Sequence, residues 1–322
     1  MPSIYDSIVE LTQRGEPFAL GIITGIKGSS PQKMGAKALF FSTGRIVGTM
    51  GGGCLEAEIR RRAAEVLGSG KPQTFDLLLD HDFGWDDGLI CGGKVKGVII
   101  PVSSESEPVW RELAKRDSVR TWGVNRQFEI GWIKDDGRAD AGEWLYRETV
   151  LPPCHLWIAG SGHIARAVAP LALKLDFAVS VFDDRPALAS PEFFPPAIRL
   201  RVDFWEKLLG DELTPTPTFG LIVTRGHQHD ALVLKDWITK PFSFLGMIGS
   251  RRKKEIIFSH FIEEGIATRE RLAEVACPVG IDIDAVSVDE IAVSIMAQYI
   301  EKRAELKTRP EGGYQKAAKV LA

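Results

Sequence analysis

Apolar positions along this chain follow two different rhythms, and the change comes near residue 150. At the start, Ile4, Ile8 and Leu11 recur at helical spacing and predict an opening helix that ends near Gly15. Residues 18–26 are apolar and β-branched enough for a strand, broken by Gly28-Ser29-Ser30-Pro31. Short strands over 36–41 and 45–49, joined around Ser42-Thr43-Gly44, predict a hairpin that delivers the chain into Gly51-Gly52-Gly53-Cys54. Leu55, Ile59, Ala63 and Val66 then mark a helix over 54–67, with Gly68 as its stop. Strands are predicted over 75–79 and 95–102, and between them lie the loop 81–88 and Ile90-Cys91-Gly92-Gly93. A helix holding Trp110 and Leu113 precedes strands over 120–124 and 128–133 and a turn at Asp135-Asp136-Gly137. The first half is therefore expected to be a mixed α+β domain over residues 1–150.

Leu151-Pro152-Pro153 reads as a boundary, because paired prolines favour an extended spacer. Beyond it strands and helices alternate. An apolar strand over 155–159 leads into Gly160-Ser161-Gly162-His163-Ile164-Ala165, a G-x-G-x-x-A turn, then a helix over 166–175 with a kink expected at Pro170. A strand over 178–182 ends on Asp183-Asp184, which completes a βαβ opening of the dinucleotide type. Further strands over 220–224 and 244–248 are each followed by a loop and a helical pattern. Ser287 with Glu290 forms a capping box that opens a helix over 289–303, whose core stripe is Ile291, Ile295, Met296 and Tyr299. The fold class is α/β: the mixed α+β domain followed by a Rossmann-like domain with a parallel sheet over 154–306, then a polar tail over 307–322.

Bulk properties narrow the function classes. A chain of 322 residues with a net charge of −3 and a pI near 6.1 has no general electrostatic reason to bind nucleic acid or an anionic membrane. No apolar run is long enough to cross a bilayer and the first residues lack a signal-peptide pattern, so a cytoplasmic protein is expected. Cys54, Cys91, Cys154 and Cys277 are far apart and form no CxxC, which suggests neither a disulfide scaffold nor a structural zinc site.

The candidate chemistry sits in loops. Gly51, Gly52 and Gly53 strip the Cβ atoms from the approach to Cys54, which stands with Glu56 at a helix start. A helix N-terminus favours thiolate, so Cys54 reads as a functional thiol, or alternatively as a buried, inert cysteine beside a tight turn. Cys91 lies in a similar glycine setting. In the second half, three loops are expected to meet at the carboxyl ends of the strands. Gly160, Gly162 and His163 offer backbone to a phosphate, and Asp183 stands where a ribose-binding acid would. Ser250, Arg251, Arg252 and Lys253 begin a helix with cations. His227, His229 and Asp230 could ligate a metal or serve as hydrogen-bonding groups.

Taken together, these motifs resemble the XdhC/CoxI family, accessory proteins of xanthine dehydrogenase and related molybdenum hydroxylases. The likeness rests on Gly28-Ser29-Ser30-Pro31 with Gly35-Ala36, Gly51-Gly52-Gly53-Cys54-Leu55-Glu56 and Leu89-Ile90-Cys91-Gly92-Gly93 in the first half. In the second half it rests on the 160–165 turn, Asp183-Asp184-Arg185-Pro186, Gly249-Ser250-Arg251-Arg252-Lys253, Pro278-Val279-Gly280-Ile281-Asp282 and residues 289–295. The resemblance implies a chaperone, not an enzyme, that binds molybdenum cofactor, protects it during sulfuration and delivers it to an apo-molybdenum hydroxylase. A cysteine desulfurase-type sulfurtransferase and a homodimer are implied partners, and Cys54 is a candidate molybdenum contact. Where the family often carries T-H-x-H-x-x-D, this chain has Arg225 in place of the first histidine, which puts that histidine's role in doubt. The main alternative is an NAD(P)-dependent oxidoreductase using Gly160, Gly162 and Asp183. A third is a regulatory protein with a vestigial nucleotide fold.

Overall fold

The structure, a computed structural model, describes residues 3–79, 93–133, 143–213 and 216–308. One compact unit ends at Leu151 and the second begins at Pro152. In the first, Ser3 and Asp6 cap α1 (Ile4–Gln13) reciprocally. The strands β1 (Ala19–Lys27), β2 (Lys37–Phe40) and β3 (Ile46–Gly48) form an antiparallel meander that leads into α2 (Gly53–Ser69). Then come β4 (Gln73–Leu79) and β5 (Gly93–Pro101), giving an antiparallel sheet in the order β3-β2-β1-β5-β4. Strand alternation sorts its two faces. Ala19, Ile23, Ala38, Phe40, Phe75 and Ile99 pack with Leu55, Ile59, Ala63 and Val66 of α2. Leu20, Ile22, Leu39, Val98 and Ile100 face the opposite way, onto α1 and α3 (Glu107–Lys115).

A smaller antiparallel sheet, β7-β6-β8, is built from β6 (Arg120–Asn125), β7 (Ile130–Trp132) and β8 (Trp144–Val150). A half-buried ion pair ties it to β2. Lys37 Nζ lies 2.7 Å from Glu148 and donates to the Tyr146 hydroxyl at 3.1 Å, with the rings of Tyr5, Trp122 and Tyr146 all within 5.9 Å. Tyr5 donates to the same carboxylate at 2.6 Å and Trp122 Nε1 at 3.0 Å. Burial, reinforced by Glu148, pushes both tyrosine hydroxyls above their ordinary range. Two expectations change here. The helix passes through Gly68 and stops at Gly70, which takes the left-handed conformation a C-terminal glycine supplies. Strand β8 escaped the sequence reading because Arg147, Glu148 and Thr149 blur its alternation. The turn at 135–137, the loop 81–88 and Cys91 lie outside the described residues.

The second unit holds a fully parallel sheet. Its order β11-β10-β9-β12-β13-β14 uses β9 (Cys154–Ala159), β10 (Phe177–Asp183), β11 (Arg199–Val202), β12 (Thr218–Ile222), β13 (Phe244–Met247) and β14 (Val275–Ala276). The order reverses between β9 and β12, the switch point at which such sheets bind ligands. One face, with Leu156, Ile158, Val179 and Leu221, is covered by α4 (His163–Lys174) and α9 (Val288–Thr308). The other, with Trp157, Ala159, Phe182 and Ile222, is covered by α6 (His227–Trp237) and α7 (Arg251–Glu263). Helix α4 starts three residues earlier than expected and runs on through Pro170. The capping box is present, with Glu290 N donating to Ser287 Oγ and Ser287 N to Glu290, and α9 runs on to Thr308. The short elements β11, α5 (Trp205–Leu208), α8 (Arg269–Ala273) and β14 carry too few residues to show a period. No helix among the described residues is long and apolar enough to cross a membrane.

Candidate functional site

The thiol loop is shaped by three glycines in succession with positive φ: Gly51 at 115°, Gly52 at 71° and Gly53 at 55°. Any side chain there would be strained, so the loop presents backbone alone. Gly52 is the N-cap of α2 and no side chain caps the helix, which leaves its first-turn amides without the usual oxygen partner. Cys54, the second residue of α2, is exposed, whereas Cys154 and Cys277 are buried. The buried-core reading of Cys54 is thereby removed. Burial also pushes the Cys277 thiol up, against the lowering pull of Lys253 and Lys254.

Glu56 turns back toward the loop. Its carboxylate accepts from Thr49 Oγ1 at 2.9 Å and from Met50 N at 3.0 Å, so it braces the loop from the helix's first turn. Another motif meets both this loop and Gly93. A Cβ on Gly51 would lie 2.7 Å from Pro31, and one on Gly93 would lie 1.8 Å from the Ser29 carbonyl. The Gly28-Ser29-Ser30-Pro31 loop is thus wedged against both glycine motifs. Gly93 is small there because another backbone passes, and Gly51 because the Pro31 ring does.

At the carboxyl edge of the parallel sheet, close approach is again what glycine permits. Gly160 has φ of 113°, its N–H donates to Phe182 O at 2.7 Å, and a Cβ would fall 2.3 Å from the Val223 carbonyl. Gly162 differs: its φ is −72°, the space beside it is open, and it caps α4 with no side-chain bond. Exposed His163 follows. Asp183 is 1% exposed and turned inward. Ser161 N and Oγ both donate to it at 2.7 Å, and Arg185 adds three bonds, from N at 2.9 Å, Nε at 2.8 Å and Nη2 at 2.7 Å. Burial alone would raise its pKa, but the bonds from Arg185 and Ser161 outweigh that and hold the carboxyl at about 2. Its oxygens are occupied, so it positions the turn.

The next two loops are tied to each other in the same manner. Buried Asp230 accepts from Thr224 N at 3.1 Å and Thr224 Oγ1 at 2.7 Å, and forms an ion pair with Lys253 across the edge. Lys253 also donates to Ile248 O at 3.1 Å, so this cation faces inward. Ser250 accepts from Lys253 N at 3.2 Å and is the cap of α7. Arg251 and Arg252 remain exposed, and among the described residues neither has an ion-pair partner. Arg225, standing where a histidine was expected, bridges Asp184 at 2.9 Å and His229 Nε2 at 2.8 Å. His227 is exposed at the first position of α6. Among the described residues no group of three or more His, Cys, Asp or Glu is disposed to hold a metal ion. The reason is visible at Asp230, whose carboxylate is committed to Thr224 and Lys253.

The sheet edge therefore gathers Gly160, Gly162, His163 and Asp183 at one turn, and His227, Asp230 and Ser250 at the neighbouring two. A cleft of about 430 Å³ lies elsewhere, along β9, β10 and β11, and is lined by His155, Trp157, Ser180, Arg199 and Glu212 among others.

Two family models match the chain in order. The XdhC and CoxI family model covers residues 11–79, from α1 through the thiol loop to β4, and the XdhC Rossmann domain model covers residues 156–299. The chain belongs to the XdhC and CoxI family. Its relatives in that family include YqeB of Escherichia coli, 27% identical over 313 residues, which are 97% of this chain and 47% of YqeB. The chain thus spans about half the length of that relative. It is 23% identical to a Bacillus subtilis protein described as a probable subunit of xanthine dehydrogenase, over 94% of this chain and 98% of the relative. It is 24% identical to the molybdenum cofactor insertion chaperone PaoD of Escherichia coli, over 92% and 86% respectively. A crystal structure described as a xanthine dehydrogenase from Bacillus halodurans superposes with a TM-score of 0.79 at 25% identity, covering 94% of this chain and 97% of that one.

Proposed function

We propose that this protein binds molybdenum cofactor and delivers it to an apo-molybdenum hydroxylase of the xanthine dehydrogenase type. The observation that carries the reading is the exposed Cys54 thiol on a glycine-only helix start, whose Gly51 packs against Pro31 of the Gly28-Ser29-Ser30-Pro31 motif. The donor set fits the group. A thiolate is a soft donor suited to molybdenum, and the uncapped first turn of α2 presents backbone amides to an anion. Gly51, Gly52 and Gly53 would let the cofactor approach, Glu56 would keep the loop in shape, and Cys91 is a second candidate thiol. In the Rossmann-type unit, the open start of α4 at Gly162 and His163, with exposed His227, Arg251 and Arg252, would take a phosphate or nucleotide portion. When bound, the cofactor supplies the molybdenum centre that the hydroxylase needs, and a cysteine desulfurase-type sulfurtransferase would furnish its sulfur. The nicotinamide alternative is weakened because Asp183 is enclosed by Ser161 and Arg185.

Purified protein incubated with molybdenum cofactor, NAD and NADP should retain the molybdenum cofactor. Cys54→Ser should keep the fold and lose cofactor retention or loading of apo-xanthine dehydrogenase. A folded Ser variant that loads the apo-enzyme at the wild-type rate would refute the role of Cys54, and retention of NAD alone would favour the oxidoreductase.

A further inference from the structure

Helix α9 carries two apolar stripes. One, Ala292, Ile295, Met296 and Tyr299, is buried in the core of its unit, with the Tyr299 hydroxyl donating to Gly220 O at 2.7 Å. The other consists of Val293, Ala297, Ile300 and Ala304, spaced four, three and four, which is the seam of a helix that packs against another helix. Val293 is 53% and Ile300 38% exposed. Val286, 87% exposed, and Ile281 and Ile283, 40% and 45% exposed, lie in the segment that leads into the helix. A folded chain rarely leaves such a contiguous apolar row in water without a partner for it.

The row and the segment before it carry acids. Asp282, Asp284, Asp289, Glu290 and Glu301 are all exposed, and among the described residues none of them has an ion-pair partner. On α1 and α2, by contrast, exposed Glu10 is paired with Arg14 and exposed Glu65 with Arg61. We infer that the outer face of α9, with the segment that leads into it, docks a partner protein that presents a cationic helix with an apolar stripe. A second copy of this chain fits badly. Antiparallel self-packing sets like flank against like flank, and Glu290 and Glu301, eleven residues and three turns apart on one side, would meet their own equivalents. An anionic membrane is disfavoured by the same charges. Under the delivery reading above, the hydroxylase is the partner; the surface chemistry itself does not depend on that reading.

The probe is a fluorescent amphipathic helix about three heptads long with leucine on one face and lysine on the flanks. The wild-type full chain should bind it saturably, and added salt should weaken the complex. Val293→Glu with Ile300→Glu, or separately Asp289→Lys with Glu301→Lys, should weaken it by about tenfold or more while leaving the melting temperature unchanged, since these side chains are at the surface. A peptide with glutamate flanks should not bind. Absent binding, equal binding of both peptides, binding indifferent to the substitutions, or a shift to dimer in place of peptide binding overturns the inference. The delivery reading is separated by a second measurement. If wild type loads apo-xanthine dehydrogenase, the Val293→Glu and Ile300→Glu variant should still retain molybdenum cofactor and fail to load, whereas Cys54→Ser fails at retention. If wild type itself does not load, the delivery reading falls and the peptide titration alone decides the docking face.

Discussion

Two glycine-led helix starts, α2 in the first unit and α4 in the second, look alike in sequence and are held in different ways. Both lack a side-chain cap. The loop before α2 is braced locally, by Glu56 on the helix it precedes. The turn before α4 is braced from a distance by Asp183, which is 22 residues away at the end of another strand. The α2 start is hydrogen-bonded by its own few residues, with the Pro31 ring against Gly51, and it carries an exposed thiol. The α4 start depends on the whole sheet being assembled, and its acid is spent on that assembly. A glycine motif thus marks where backbone is exposed to a ligand or to another chain segment, and only the neighbours tell the two apart.

The sharpest way to break this comparison is within the α4 turn itself. Gly160→Ala forces a Cβ toward the Val223 carbonyl at a backbone angle of 113°, and should cost about 3 kcal/mol or more in chemical denaturation. Gly162→Val meets open space at an ordinary angle, so the melting temperature should hold while anion retention falls. Unchanged retention by that variant would make the turn purely structural. A somewhat smaller loss is expected where a distant brace is cut. Asp183→Asn should destabilise by about 2 kcal/mol, while Glu56→Gln should cost under about 1 kcal/mol.

The same brace predicts a pH response. Asp183 is depressed from its ordinary 3.8 to about 2 in the folded state, so its stabilisation is complete above about pH 4 and is lost as pH falls from there toward 2. An acid titration followed by circular dichroism should show this loss in wild type and a flatter curve over that window in Asp183→Asn. The smallest effect on stability belongs to the thiol. Alkylation mapped by mass spectrometry should modify Cys54 in the folded chain, whereas Cys154 and Cys277 should react only on unfolding. Slow labelling of Cys54 would contradict its exposed position.

Local devices were legible in the residues. The stripe Leu55, Ile59, Ala63 and Val66, the box of Ser287 and Glu290, and the strand-turn-helix around Gly160 each depend on residues a few positions apart, and spacing displays them directly. The exposure of Cys54 was not legible, because a cysteine after glycines suits a core as well as a surface. Nor was the fate of the charges. Lys253 read as one cation among three at a helix start, and folding turned it inward to Asp230, which lies on α6. Lys37 and Glu148 stand 111 positions apart and meet beneath three aromatic rings. Sequence determined the periods, the caps and the places where backbone had to pass close, since these follow from neighbouring side chains and from the absence of a Cβ. The tertiary structure alone decided which carboxylates were free, because a buried charge takes its partner from whatever strand order and crossovers bring beside it, at separations no local pattern records.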